Sequence, residues 1–137
     1  MESMEPLPLL ESEFDRDLFI FNLDREPQVE MKTLLSSDNQ VIAILGAHHL
    51  WEGVADVFLI PSDIMPDHVF QYINAARKEL DDLAFRNNLH RVQTMSLANA
   101  QIDKFMELLG FTWEGNHLKY SREGKNYRSW ARFPNAV

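Results

Sequence analysis

The clearest helical pattern lies in the middle of the chain, after Pro66. Its apolar residues recur at spacings of four and three: Val69, Ile73, Ala76, Leu80 and Leu83. This periodicity predicts an amphipathic helix. Proline suits the first turn of such a helix, because a backbone N–H at that position would have no partner within the helix. The pair Asn87-Asn88 is expected to end it.

A second, shorter helix is predicted from Asn99 to Leu109. Its buried stripe consists of Ile102, Phe105, Met106 and Leu109. Asn99 suits the N-terminal cap, because its side-chain oxygen can accept hydrogen bonds from the first free N–H groups. Gly110 suits the C-terminal cap, where the backbone takes a positive φ.

Strand patterns surround the two helices. In QVIAILGAHHLWEGVADVFLIP, two apolar runs separated by a segment with Gly46 and Gly53 indicate an antiparallel hairpin of buried strands. Further strands are predicted at residues 18–23, 90–95, 113–121 and 127–133, and a short helix at 27–37. This order predicts one α/β (α+β) domain over residues 13–137, with a mixed central sheet flanked by helices, after an acidic N-terminal arm at 1–12.

Composition narrows the functional classes. The chain of 137 residues has no cysteine, which excludes disulfides, thiolate nucleophiles and cysteine zinc sites. The five histidines are not spaced to hold a metal, so no metal site is expected. The chain has neither the apolar run of about eighteen residues that a membrane helix needs nor a basic leader, so we expect no membrane segment and no secretion. A net charge of −8 opposes binding to nucleic acid, and the basic residues near the C-terminus form too small a patch to reverse this.

Three pieces of the second half occur in a characteristic order and spacing. They are Leu89-His90-Arg91-Val92, then Asn99, then Leu109-Gly110-Phe111 leading to Glu114-Gly115. Together they resemble the Gcn5-related N-acetyltransferase (GNAT) superfamily, over roughly 41–133. The resemblance implies a GNAT-like mixed sheet in which acetyl-coenzyme A lies between two splayed central strands. It implies cofactor contacts at Phe58, Ile60 and Asn99.

The phosphate-binding half of such a site is not recognisable in the sequence. Active members of the superfamily hold the pyrophosphate on the backbone N–H groups of a glycine-rich loop that leads into the central helix. The corresponding segment, LIPSDIMPDHVFQY, has no glycine, lysine or arginine. Asp63 and Asp67 would repel a phosphate, and Pro66 lacks an N–H. The sequence therefore predicts no cofactor, with acetyl-coenzyme A as the alternative.

The candidate catalytic residues are His49, Glu52, Ser96 and Tyr120. In many members of the superfamily a tyrosine of the last helix protonates the departing thiolate, but the matching residue here is Met106. Ser96 and Tyr120 lie near enough in sequence to replace it, and His49 with Glu52 could act as a base. Alternation along a strand would place His48 and His49 on opposite faces, so at most one of them faces a cleft. All four candidates can also be explained as hydrogen-bonded structural residues.

Two functions are compatible with these features. LIPSD and the ending NYRSWARF are similar to small phage proteins of the internal virion protein A group. That resemblance implies a degenerate acetyltransferase fold serving as a virion or assembly component, in the virion or host cytoplasm, with a protein partner or self-association. This is the favoured interpretation. The alternative is an active N-acetyltransferase that moves an acetyl group from acetyl-coenzyme A to an amine, with the acidic surface favouring a cationic acceptor.

Overall fold

The computed structural model describes residues 29–134 of the chain. The predicted arm at 1–12 and the predicted strand at 18–23 lie outside this range. The strands are β1 (Val29–Leu35), β2 (Val41–Trp51), β3 (Val54–Pro61), β4 (Arg91–Leu97), β5 (Thr112–His117) and β6 (Tyr127–Arg132). The helices are α1 (Val69–Arg86), which follows a one-turn 3₁₀ helix at Met65–His68, and α2 (Ala100–Leu108).

The six described strands form one mixed sheet in the order β1-β2-β3-β4-β6-β5. β3 and β4 are parallel, and the other neighbouring strands are antiparallel. The parallel pair is connected through α1, because parallel neighbours need a crossover that returns the chain to the same end of the sheet. The predicted α+β fold with a mixed central sheet is confirmed.

Both helices pack on one face of this sheet. Their apolar stripes join the odd-numbered residues of β3, Ala55, Val57 and Leu59, in a single core cluster. Tyr72 of α1 and Phe105 of α2 stack within it, with ring centroids 5.2 Å apart. On the opposite face of the sheet Phe58 and Ile60 form a smaller cluster. Strand alternation therefore gives β3 two apolar faces, one under the helices and one beside the site described below.

The helix predicted at 27–37 is wrong, because this segment forms strand β1. Val29 to Leu34 pair in continuous antiparallel register with His48 to Ala43 of β2. The segment is short, and its spacing fits a helix face almost as well as a strand. Backbone pairing with β2 decides the outcome, as tertiary context commonly does for short segments.

Two glycines of the predicted hairpin have different roles. Gly53 lies in the turn between β2 and β3, at φ 85°. Gly46 instead lies inside β2, directly opposite Phe58. A Cβ at Gly46 would be 1.9 Å from Cζ of Phe58, so the phenyl ring lies directly over the glycine backbone. Gly46 is therefore needed for a close approach and not for a turn.

The caps of α2 follow the sequence prediction. Asn99 Oδ1 accepts hydrogen bonds from the N–H groups of Gln101 at 2.8 Å and Ile102 at 3.2 Å. Gly110, just beyond the helix, has φ 93°. These two residues set the start and end of the helix that leads into β5.

Candidate functional site

The two parallel strands at the centre of the sheet separate after three residue pairs. Val54, Ala55 and Asp56 of β3 pair with Arg91, Val92 and Gln93 of β4, and the pairing stops there although both strands continue. Immediately beyond, the Thr94 hydroxyl donates to the Val57 carbonyl at 2.8 Å, in place of a backbone bond. We call this point the fork. Past the fork, the facing edges of β3 and β4 have no partner strand within the described part of the chain.

A cavity of about 440 Å³ lies at the fork, mainly on the sheet face opposite the helices. Its lining combines titratable, amide and aromatic side chains. The lining residues are His48, Asp56, Val57, Phe58, Arg91, Gln93, Thr94, Met95, Glu114, His117, Tyr120, Ser129 and Trp130.

Three polar residues form a row across the strands at the fork. The register places His48 of β2 directly opposite Asp56 of β3, and Asp56 beside Gln93 of β4. Neighbouring strands lie about 4.8 Å apart, so these side chains are within reach of one another and of a molecule in the cavity. All three are partly exposed. The row brings a carboxylate and an imidazole together on one wall.

An ion pair between β4 and β5 lies next to this row, and its Arg91 Nε donates to Gln93 Oε1 at 2.8 Å. Arg91 binds Glu114 with both of its terminal nitrogens, at 2.9 and 2.5 Å. Hydrogen bonding from Arg91 lowers the pKa of Glu114, and hydrogen bonding to Glu114 raises the pKa of Arg91. The Arg91 guanidinium also lies 5.7 Å from the centre of the Phe133 ring. Asp56 also raises the pKa of Arg91 through its charge. Of the two carboxylates, however, only Glu114 is hydrogen-bonded to the guanidinium, so Asp56 is the one better placed to meet a cationic molecule in the cavity.

His48 and His49 lie on opposite faces of β2, as strand alternation predicts. His48 lines the cavity. His49 lies on the helix-facing side, where its Nε2 is 3.0 Å from Glu30 Oε1. Glu52 is exposed in the turn after β2. The histidine at the fork is thus His48, whereas the sequence pointed to His49 with Glu52.

Ser96 and Tyr120 have different surroundings. Ser96 is fully buried on the helix-facing side, and its hydroxyl accepts a 2.9 Å hydrogen bond from the indole N–H of Trp130. Tyr120 lines the cavity with about half of its surface exposed. The centroids of its ring and of the His117 ring lie 5.7 Å apart, and the two rings meet edge to face. Of the two, Tyr120 has access to a molecule in the cavity.

The three residues that the resemblance implied as cofactor contacts lie in two different places. Phe58 lines the cavity and packs with Ile60 on β3, beyond the fork. Asn99 uses its side-chain oxygen to cap α2. Phe58 and Ile60 therefore lie on the strand edge where the resemblance places the cofactor.

The segment before α1 offers little to a phosphate. The N–H of Met65 donates to the Ser62 carbonyl at 3.2 Å, and the N–H of Asp67 donates to the Ile64 carbonyl at 3.1 Å. Pro66 between them has no N–H. Asp63 and Asp67 are exposed. A diphosphate placed here would meet two carboxylates and few backbone donors.

Sequence reasoning assigned no site role to most polar residues of the cavity wall, among them Asp56, Arg91, Glu114 and His117. Asp56 had a signal, since it is the one charged residue in the apolar run VADVFLIP. Arg91 and Glu114 come from separate segments, and only the order of β4, β6 and β5 brings them together. The described residues contain no group of side chains arranged to hold a metal ion. Within 29–134, no helix is long and apolar enough to cross a membrane.

The mixed sheet, its crossover helix and the fork have the GNAT-like architecture that the resemblance implied. No family model matches the sequence, and no curated protein sequence matches it. Solved structures, in contrast, match this chain in fold. A single-residue variant of spermidine N-acetyltransferase from Vibrio cholerae matches with a TM-score of 0.71 at 13% identity, over 90% of this chain and 76% of that one.

Two related structures also match this chain in fold. A chimera of the Vibrio cholerae enzyme and hSSAT gives a TM-score of 0.72 at 14% identity, over 89% of this chain and 80% of that one. The Vibrio cholerae enzyme in complex with CoA and spermine gives a TM-score of 0.65 at 13% identity, over 90% and 76%. At such identities the likeness establishes the fold, and it confirms the GNAT-like architecture.

These comparisons correct the favoured functional interpretation. The sequence suggested a degenerate acetyltransferase fold serving as a virion or assembly component. The matching structures are those of spermidine N-acetyltransferases, and one of them contains CoA and spermine. The virion role has no support among them, and the finding favours the alternative interpretation, an active N-acetyltransferase. That interpretation rested on the glycine-free loop, which is one segment of such a site.

Proposed function

We propose that the protein is an N-acetyltransferase that moves an acetyl group from acetyl-coenzyme A to a cationic amine. The observation that carries the proposal is the fork, where β3 and β4 separate beside a cavity lined by Asp56, His48 and Tyr120. The acetyltransferase fold supports the reaction class. The similar enzymes support an acceptor of the polyamine type and CoA as the carrier of the donor.

The acceptor side of the site is the row at the fork. An aliphatic amine is protonated at neutral pH and must lose a proton before it can attack a thioester. We assign the attraction of the ammonium group to Asp56 and the acceptance of its proton to His48, the cross-strand neighbour. Because the two side chains lie on neighbouring strands, both can contact the same amine.

The donor side is the strand edge beyond the fork. Phe58 and Ile60 supply an apolar wall on β3. Tyr120 is our candidate for returning a proton to the thiolate that leaves, because its hydroxyl belongs to a side chain that lines the cavity. His49, Ser96 and Asn99 have hydrogen bonds that support structural roles for them.

The net charge of −8 favours a cationic acceptor over a neutral or anionic one. An acidic protein raises the local concentration of polycations, and this effect weakens as salt screens the charges. A polyamine therefore suits both the row at the fork and the charge of the whole chain.

The proposal is tested by measuring CoA release with acetyl-coenzyme A and a set of amines: spermidine, a lysine peptide and a peptide with a free N-terminus. We expect release with at least one of these acceptors. The Asp56→Asn variant should lower kcat/KM by about tenfold to a hundredfold, because it removes the charge that attracts the ammonium group, and a hydrogen bond between charged groups contributes about 1.5–3 kcal/mol. Asp82→Asn, at an exposed position of α1, is the matched control and should leave kcat/KM unchanged.

Two outcomes would contradict the proposal. One is CoA release no faster than spontaneous hydrolysis with every amine, from protein shown to be folded by circular dichroism. The other is full activity in the Asp56→Asn variant, which would show that the fork takes no part in the reaction.

A further inference from the structure

The 3₁₀ turn that leads into α1 offers few backbone donors to an anion. Phosphate binding at a helix N-terminus depends on free N–H groups that point at the ligand. Here the N–H groups of Met65 and Asp67 are used in the 3₁₀ turn, at 3.2 and 3.1 Å, and Pro66 has none. Three consecutive positions at this turn thus offer no donor to a diphosphate.

The charge around the same turn also opposes an anion. Asp63 and Asp67 are exposed there. The sequence contains no Lys or Arg between Lys32 and Arg77. The ring of His68 is already tied to the turn, with Nδ1 2.9 Å from the Ile64 carbonyl oxygen. A diphosphate at this helix start would meet two carboxylates with no neighbouring cation in sequence to offset them.

The fork, in contrast, offers an open strand edge. The Val57 carbonyl points toward β4, since it accepts the Thr94 hydroxyl. Backbone direction alternates along a strand, so the N–H and C=O of Leu59 point toward the same gap. The β3–β4 pairing has already ended at Asp56 and Gln93. An extended molecule with amide groups can pair with such an edge as an added strand would.

We propose that the donor is recognised through its pantetheine arm at the fork, and that the nucleotide diphosphate contributes little to binding. A pantetheine has amides that can pair with the Leu59 edge and an apolar chain that can lie along Phe58. The donor class is therefore an acyl-pantetheine thioester, with or without the nucleotide. This inference rests on the proposed acetyltransferase function.

The test compares acetyl-coenzyme A with S-acetylpantetheine as donors to one amine acceptor. We expect kcat/KM values within about tenfold of each other, because a tenfold difference corresponds to only one weak polar contact. Calorimetric titration with CoA and with pantetheine should give dissociation constants within the same range, and this measurement needs no acceptor.

A charge variant supplies an independent check. Asp67→Lys places a cation at the helix start, so it should raise kcat/KM severalfold for acetyl-coenzyme A and leave S-acetylpantetheine unchanged. Asp82→Lys makes the same change in net charge on an exposed face of α1 and should leave the ratio of the two donors as it is. A loss of acetyl-coenzyme A activity in Asp67→Lys would count against the inference, since the carboxylate would then contribute to donor binding.

The two proposals fail in distinguishable ways. Transfer from acetyl-coenzyme A with S-acetylpantetheine more than about a hundredfold worse would overturn this inference and leave the function intact, because the nucleotide would then supply a large share of the binding energy. No transfer from either donor, with no binding of CoA or pantetheine, would refute the function and the inference with it.

Discussion

Ser96 and Tyr120 show at the scale of single residues why sequence position does not assign chemistry. Both hydroxyl groups lie near strand ends and were candidates for proton transfer. Strand alternation buries Ser96 beneath the helices, where it accepts the Trp130 N–H. Tyr120 lies beyond the end of β5 and lines the cavity. Their environments predict opposite results for two simple substitutions.

Ser96→Ala should reduce stability without reducing activity. The change leaves the indole N–H of Trp130 buried without its acceptor, at a cost of about 1–3 kcal/mol. Chemical denaturation measures the loss, and kcat/KM corrected for the folded fraction should equal that of the wild type. Ser37→Ala, in an exposed turn, is the control and should change neither quantity. A large fall in kcat with unchanged stability would make Ser96 catalytic.

Tyr120→Phe should reduce activity without reducing stability. If its hydroxyl protonates the leaving thiolate, kcat should fall by about a hundredfold or more while KM changes little. Tyr72→Phe is the control, because Tyr72 is fully buried and its hydroxyl has no hydrogen-bond partner among the described residues. Removing that hydroxyl should leave kcat unchanged and stability equal or slightly higher. Equal kcat in Tyr120→Phe and wild type would exclude the proton donor.

At the scale of elements, the contact between Gly46 of β2 and Phe58 of β3 can be tested by substitution. Gly46→Ala would place a Cβ 1.9 Å from the Phe58 ring, so the ring must move. We expect a loss of about 1–3 kcal/mol from overpacking. Phe58→Leu should recover part of this loss, since the smaller side chain makes room for the methyl group.

A double-mutant cycle by urea denaturation tests that contact. The combined variant should be more stable than the sum of the two single losses predicts. Strict additivity would show that the ring and the glycine are not coupled, and would contradict the close approach between β2 and β3.

A polar network joins β1 and β2 to the end of α1. Glu30 receives hydrogen bonds from His49 at 3.0 Å, Asn87 at 2.7 Å and Arg86 at 3.1 Å. Burial alone would raise the pKa of Glu30, but these hydrogen bonds outweigh it and lower the pKa below 4.5. A lowered pKa stabilises the fold above the ordinary value, and this stabilisation is lost as pH falls through the folded-state pKa.

Glu30→Gln should therefore destabilise the protein at neutral pH and flatten its response to acid. Glu30 is about one third exposed, so solvent screening limits the expected loss to about 1 kcal/mol. Melting temperatures measured from about pH 7 to about pH 3 would show this loss of stability. The variant should lose less stability than the wild type below pH 4.5. Parallel curves for the two proteins would show that Glu30 is not held by the network, and Glu52→Gln in the exposed turn serves as the control.

At the scale of the whole molecule, regular patterns made most of the fold predictable. The stripes of α1 and α2, the Asn99 cap and the positive φ of Gly110 all appear where the sequence placed them. The segment at 27–37 was misread because the seven residues that form β1 within it are too few to distinguish a helix face from a paired strand. Its structure depends on β2, which is a property of the fold and not of the segment.

The site was harder to predict because it depends on strand register. A shift of one residue would exchange His48 for His49 at the cavity. Arg91 and Glu114 meet only because β6 lies between β4 and β5 in the sheet. The glycine-free segment before α1 led the sequence to predict no cofactor, but this segment says little about the fork, which lies at a different place in the sheet.

Identification of the product is the most direct test of whether this chain acetylates an amine. The purified protein is incubated with acetyl-coenzyme A and spermidine, and the amine is analysed by mass spectrometry. We expect acetylated spermidine that forms only with folded protein and declines sharply with the Asp56→Asn variant. Unmodified spermidine, together with unmodified lysine and N-terminal peptides under the same conditions, would contradict it.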